Sequence, residues 1–199
     1  MTTSVDVMTT KPRNQSPATV VPAGSLTGER ADLLEALHKH RDLFRLTVAG
    51  LTDEQARLTP TVSALSLGGL VKHVAATERE WARFVVEGPT AAPDIDWAAV
   101  DWTNPPPQVQ EYAAGFRMSE SETLAGLLGQ YDEVAAATDA LVVTVDLDGR
   151  QSLPRAPWFE PGATWSARRV LVHVVAETAQ HAGHADIIRE TIDGQKSMG

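Results

Sequence analysis

Glu177, His181 and His184 lie within eight residues of the stretch AETAQHAGHADIIRE, residues 176–190. On a helix the first two stand one turn apart on the same face, a carboxylate and an imidazole placed to share one divalent cation. The surrounding pattern strengthens this reading. Val170, Val174, Glu177, His181, His184 and Ile188 follow alternating four- and three-residue steps, the spacing of an inward-facing seam between packed helices. Burying a carboxylate and two imidazoles without partners would cost on the order of several kcal/mol, and a cation would offset that cost. Two ligands make a poor site, so a third is sought on another helix. His73, in LGGLVKHVAATEREW, borders the apolar arc of its helix, about 60° from the centre at 100° per residue. A His73, Glu177, His181 set leaves a coordination position for water or substrate, as a catalytic ion requires.

The other polar candidates receive weaker assignments. His184 could be a ligand, an orienting partner or a core donor, and the preferred reading is a residue that orients the site or contacts substrate, the candidate catalytic histidine. Glu177 with His181 could also be a simple surface ion pair. His173 falls off the seam and reads as a partly exposed structural residue. His38 and His40 read as helix surface, with His40 held as a reserve ligand.

The elements that must carry these residues are helical. Glu29 to Leu51 holds Leu34, Leu37, Phe44, Val48 and Leu51 at three-to-four spacing, and TDEQARL opens with a capping box, Thr52 with Gln55. A second long helix is expected from about Ser66 to Glu87, ended by Gly88 and Pro89. A third is expected from a box at Ser119 and Glu122 to about Thr144. The last is expected from about Thr164 to Ile192, before Gly194. Residues 88–117 and 145–163 read as long irregular connections; the first is Pro-rich and holds Trp97 and Trp102, candidates for recognition. No strand pattern stands out. The expectation is an all-α four-helix bundle with long crossover connections over residues 25–199, preceded by a disordered tail over residues 1–24 rich in Thr, Ser and Pro.

Composition narrows the function. A formal charge of −9 over 199 residues, with no basic stripe, argues against nucleic acid. No apolar run approaches a membrane span, and the N-terminus lacks the order of a signal peptide, so a cytoplasmic protein without a membrane partner is expected. Oligomeric state stays open, a homodimer included. With no cysteine, the chain has no thiolate nucleophile or thiolate ligand of its own, and any metal must be held by His, Asp or Glu.

Two long motifs, LVKHVAATEREW and WFEPGATWSARRVLVHVVAETAQHAGHADIIRETIDG, resemble the DinB-like superfamily of metal-binding four-helix bundles. The likeness is to its actinobacterial branch related to mycothiol-dependent maleylpyruvate isomerases and mycothiol S-transferases, and it spans about Gly28 to Gly194. Many superfamily members carry a His on the second helix and a His-x-x-x-His pair on the fourth. Here Glu177 takes the first position of that pair, His181 the second, and His73 the helix-two position. That triad resembles the zinc site of the mycothiol-dependent isomerases. His184 stands where many relatives have Gln. The resemblance implies a divalent metal, zinc first and nickel as an option, with mycothiol as thiol co-substrate and a small electrophile as acceptor. Two other classes compete: a metal-dependent hydrolase with Asp186 or His184 as base, and a non-catalytic, stress-related metal-binding module.

Overall fold

The computed structural model describes residues 26–90, 100, 101, 103–154, 156 and 158–197. The expected tail, Trp97 and Trp102 lie outside the described residues. Four long helices form the body: α1 (Glu29–Leu46), α3 (Leu67–Glu87), α5 (Leu124–Thr144) and α6 (Ala167–Asp193). Between them stand a one-turn helix α2 (Asp53–Arg57), a short helix α4 (Pro107–Ala114) and a ribbon of two three-residue strands, β1 (Arg150–Ser152) and β2 (Thr164–Ser166). The all-α bundle expected from the sequence is the fold.

Helix starts follow local chemistry. Thr52 and Gln55 form the expected reciprocal box at α2, and the hydroxyls of Ser66, Thr123 and Ser166 each accept from the third backbone N–H that follows. The box at Ser119 is also real, since its N–H donates to Glu122, but the helix begins only at Leu124, under the Thr123 cap. Gly194 closes α6 in the left-handed region at φ 79°.

Helices α1 and α3 each pack against both α5 and α6, so α1 faces α3 across the bundle and α5 faces α6. The connection after α5 therefore crosses the bundle, and the one after α3 joins neighbours. Phe44, Leu70, Val71, Val74, Leu127, Tyr131 and Ile188 fill one part of the core; Leu34, Leu37, Val142, Leu171 and Val174 fill another.

Two details of the connections position the site. A Cβ on Gly69 would stand 1.9 Å from the Phe116 carbonyl oxygen, so only glycine lets the chain following α4 lie directly on α3. The ribbon pairs Gln151 with Trp165, and the Gln151 side chain donates to the Val85 carbonyl near the end of α3. It thereby holds Trp165 against Trp81 of α3, the rings stacked 5.0 Å apart. Neither α4 nor the ribbon was expected. Three-residue strands are too short to show alternation, and α4 is masked by the prolines before it, although Pro107 suits a first helical position.

Candidate metal centre

His73 of α3 and Glu177 and His181 of α6 converge between these two adjacent helices. One ligand atom from each lies within 4.8 Å of the other two, and all three residues are half-buried. Among the described residues this is the one such cluster of His and acidic side chains. Glu177 Oε2 stands 3.6 Å from His181 Nε2, and the rings of His73 and His181 meet edge to face at 4.8 Å.

His73 has two close neighbours. Phe116, delivered by the close approach at Gly69, stacks on His73 at 4.0 Å, and the Thr77 hydroxyl lies 3.4 Å from His73 Nε2. Burial, reinforced by His181, holds the His73 imidazole down to about 4. Burial also lowers His181, against the opposing attraction of Glu177. Both rings are thus neutral near physiological pH, with lone pairs free to ligate.

The histidine at 184 departs from the seam. It is exposed, because the buried line of α6 passes from Val174 through Thr178 to Ala185, Ile188 and Arg189 instead. Its Nδ1 still reaches within 3.5 Å of His181 Nδ1, on the open side of the cluster. Asp186 is turned elsewhere and accepts from the Ser197 backbone N–H, so it does not face the site as a base. His40 stands apart from the cluster and His38 is bound to Asp139 at 2.6 Å.

Two features escaped the sequence reading. His173 is the partly exposed residue expected, but its surroundings were not foreseen: its Nε2 lies 3.6 Å from Glu177 Oε1, and its ring packs in T-shaped contacts on Trp81 and Trp165. A second polar cluster occupies the bundle interior. Arg41 donates to both oxygens of Glu78, at 3.2 and 2.5 Å, and to Asp139 at 2.7 Å, with the Arg41 and Glu78 side chains only 2% and 1% exposed. The available signal was position, since Arg41 falls between Leu37 and Phe44 on the buried stripe of α1, and Glu78 one turn after Val74. Tyr131 is buried beside this cluster, and burial together with Glu78 raises its phenol above the ordinary value.

Among the described residues no helix is long and apolar enough to cross a membrane. A conserved protein from Enterococcus faecalis of known crystal structure is similar in fold, with a TM-score of 0.59 at 18% identity over 85% of this chain and 100% of that one. No curated protein sequence matches. The sequence model of the mycothiol-S-transferase family matches residues 32–194, which takes in α3, α5 and α6, all of α1 but its first turn, and the whole His73, Glu177, His181 cluster. The chain belongs to the mycothiol S-transferase family.

Proposed function

We propose that the protein is a metal-dependent S-transferase that joins a low-molecular-weight thiol, mycothiol, to a small electrophile. The observation that carries this reading is the convergence of two neutral imidazoles and a carboxylate from adjacent helices in a chain of this family. The donor set fits a divalent cation. Bonds near 2.0–2.2 Å place ligand atoms up to about 4 Å apart, within reach of the observed spread by small side-chain rotations. His73, Glu177 and His181 would hold the ion, and zinc suits an N/N/O set with an open position. When bound, the cation would attract the thiol sulfur and lower its pKa, supplying a thiolate at neutral pH that a chain without cysteine cannot supply itself.

The protein's own groups have distinct tasks. His184, exposed and with its Nδ1 3.5 Å from His181 Nδ1, would accept the thiol proton and pass it to solvent. The sulfur then forms its bond to the electrophilic carbon, and the displaced group leaves with the bonding electron pair. Phe116 with Tyr112 on one flank, and Trp81 with Trp165 on the other, offer apolar walls beside the reacting centre.

The test follows mycothiol consumption against a panel of electrophiles, with metal-loaded protein, chelated protein and His181→Ala. Faster thiol loss with the loaded protein alone is expected. If thiol loss is equal in all three while an ester or amide is cleaved without thiol, a hydrolase takes the place of this reading.

A further inference from the structure

Glu177 has two oxygens, and two imidazoles on its own helix flank them. His181 Nε2 lies 3.6 Å from Oε2, and His173 Nε2 lies 3.6 Å from Oε1, four residues to either side. His173 is outside the convergent set of ligand atoms, so it is no third imidazole ligand. Its surroundings fix the ring. Trp81 meets it edge to face at 4.9 Å and 88°, and Trp165 at 5.1 Å and 72°. Those two indoles are stacked on one another at 5.0 Å, and the Arg169 guanidinium lies over Trp165 at 4.2 Å. Two elements remote in sequence, α3 and the ribbon, thus combine to aim one imidazole at one carboxylate oxygen.

A glutamate without this contact has rotatable bonds to spare, and its side chain is 28% exposed. It can swing toward water, or engage a cation through both oxygens. Ligating carboxylates are commonly held by a hydrogen bond to the oxygen that does not ligate, and loss of such a partner weakens metal binding. Resting on the metal reading above, we propose that His173 is a positioning residue. Its Nε2, 3.6 Å from Glu177 Oε1 and so short of a hydrogen bond as it stands, closes on that oxygen as its donor when Oε2, on the His181 side, engages the cation, while Trp81 and Trp165 brace the ring from one side. The ribbon, which the sequence did not disclose, is the part of the fold that supplies this brace.

The test compares full-length wild type, His173→Phe and His173→Gln by competition with a chromophoric chelator for Zn2+ and by the visible absorption of Co2+-loaded protein. His173→Phe keeps an aromatic ring against the stacked indoles but loses the donor. It is expected to weaken Zn2+ binding about 10- to 100-fold and to shift the Co2+ bands toward higher coordination as the carboxylate becomes bidentate. His173→Gln, which restores a donor near the Nε2 position, is expected to recover much of both. A wild type with no affinity for either ion sinks the metal site and this inference together; a wild type that binds, with an unaltered affinity and spectrum in His173→Phe, overturns this inference alone. Should His173→Phe fail to fold, 15N NMR of histidine-labelled, Zn2+-loaded wild type decides: a proton on Nε2 of His173 is expected, and a bare Nε2 facing Glu177 overturns the proposal.

Discussion

The Arg41, Glu78, Asp139 cluster and the His73, Glu177, His181 cluster both place polar groups among the same four helices, yet their balance of donors and acceptors is opposite. In the first, one guanidinium serves two carboxylates, His38 takes a further Asp139 oxygen at 2.6 Å, and α1, α3 and α5 are tied together. The charges are matched there, although the buried Tyr131 hydroxyl beside them has no hydrogen-bond partner among the described residues. In the second, a carboxylate and two imidazoles kept neutral by burial face one another with no cationic side chain among the described ion pairs to satisfy them. A divalent cation is the partner that the metal reading proposes for that set. Burial alone therefore does not distinguish the two clusters; the presence of a cationic partner in one and its absence from the other does.

The largest expected effect comes from breaking the saturated cluster. Arg41→Met leaves Glu78 buried without its partner and is expected to cost about 3–5 kcal/mol of stability in urea unfolding. The double variant Arg41→Met, Glu78→Leu removes both charges and is expected to recover much of that loss. A single variant that costs under about 1 kcal/mol would show that the cluster opens to water and that the contrast is overdrawn.

The unsaturated cluster should respond to an ion instead. With free Zn2+ or Ni2+ at 100 to 1,000 times its dissociation constant, mass action adds about 3–4 kcal/mol to the folded state. Differential scanning fluorimetry should show the rise in wild type, its loss on chelation, and its near absence in Glu177→Ala. Arg41→Met, though destabilised, should retain the increment if it folds. An equal response in Glu177→Ala would remove that residue from the site.

How far these two clusters could be read beforehand follows from how each is encoded. Glu177 and His181 share one helix, so their four-residue spacing reports their proximity directly, and His73 follows from its place beside an apolar arc. Arg41, Glu78 and Asp139 come from three helices, and no spacing within one segment links them. The same applies to Phe116 on His73 and to Trp165 on His173, contacts made by the chain following α4 and by the ribbon, whose own signals are too short for periodicity to register. His184 shows the opposite limit. A heptad-like seam drifts from a straight helix over several turns, and by residue 184 the buried line of α6 has rotated onto Ala185 and Arg189.

A smaller effect should follow from the glycine that lets Phe116 approach. Gly69→Ala forces the Phe116 carbonyl away from α3, since the new Cβ would meet it at 1.9 Å. Overpacking of this kind costs about 1–3 kcal/mol. Because Phe116 stacks on His73, Zn2+ affinity should fall too, although no ligand is altered. Stability lost with the metal increment unchanged would mean that the stack does not orient the ring.

The smallest effect expected is the pH dependence of the metal-free protein, and its sign separates the clusters once more. In the folded state His73 titrates near 4, against 6.5 for the free side chain, and burial lowers His173 and His181 as well. Between those two values the unfolded chain binds more protons than the folded one, so stability rises with pH through this window and is lost as pH falls from 6.5 toward 4. Above about pH 7 the imidazoles are neutral in both states and contribute no slope. In chelated protein the melting temperature should therefore be level from pH 7 to 8 and decline below 6.5. His73→Phe, which keeps a ring under Phe116 but cannot be protonated, should make that decline shallower. A wild type and a His73→Phe variant with parallel profiles from pH 7 to 5 would mean that His73 is as well solvated as a surface histidine, and the claim of a neutral ring poised for a cation would lose its electrostatic basis.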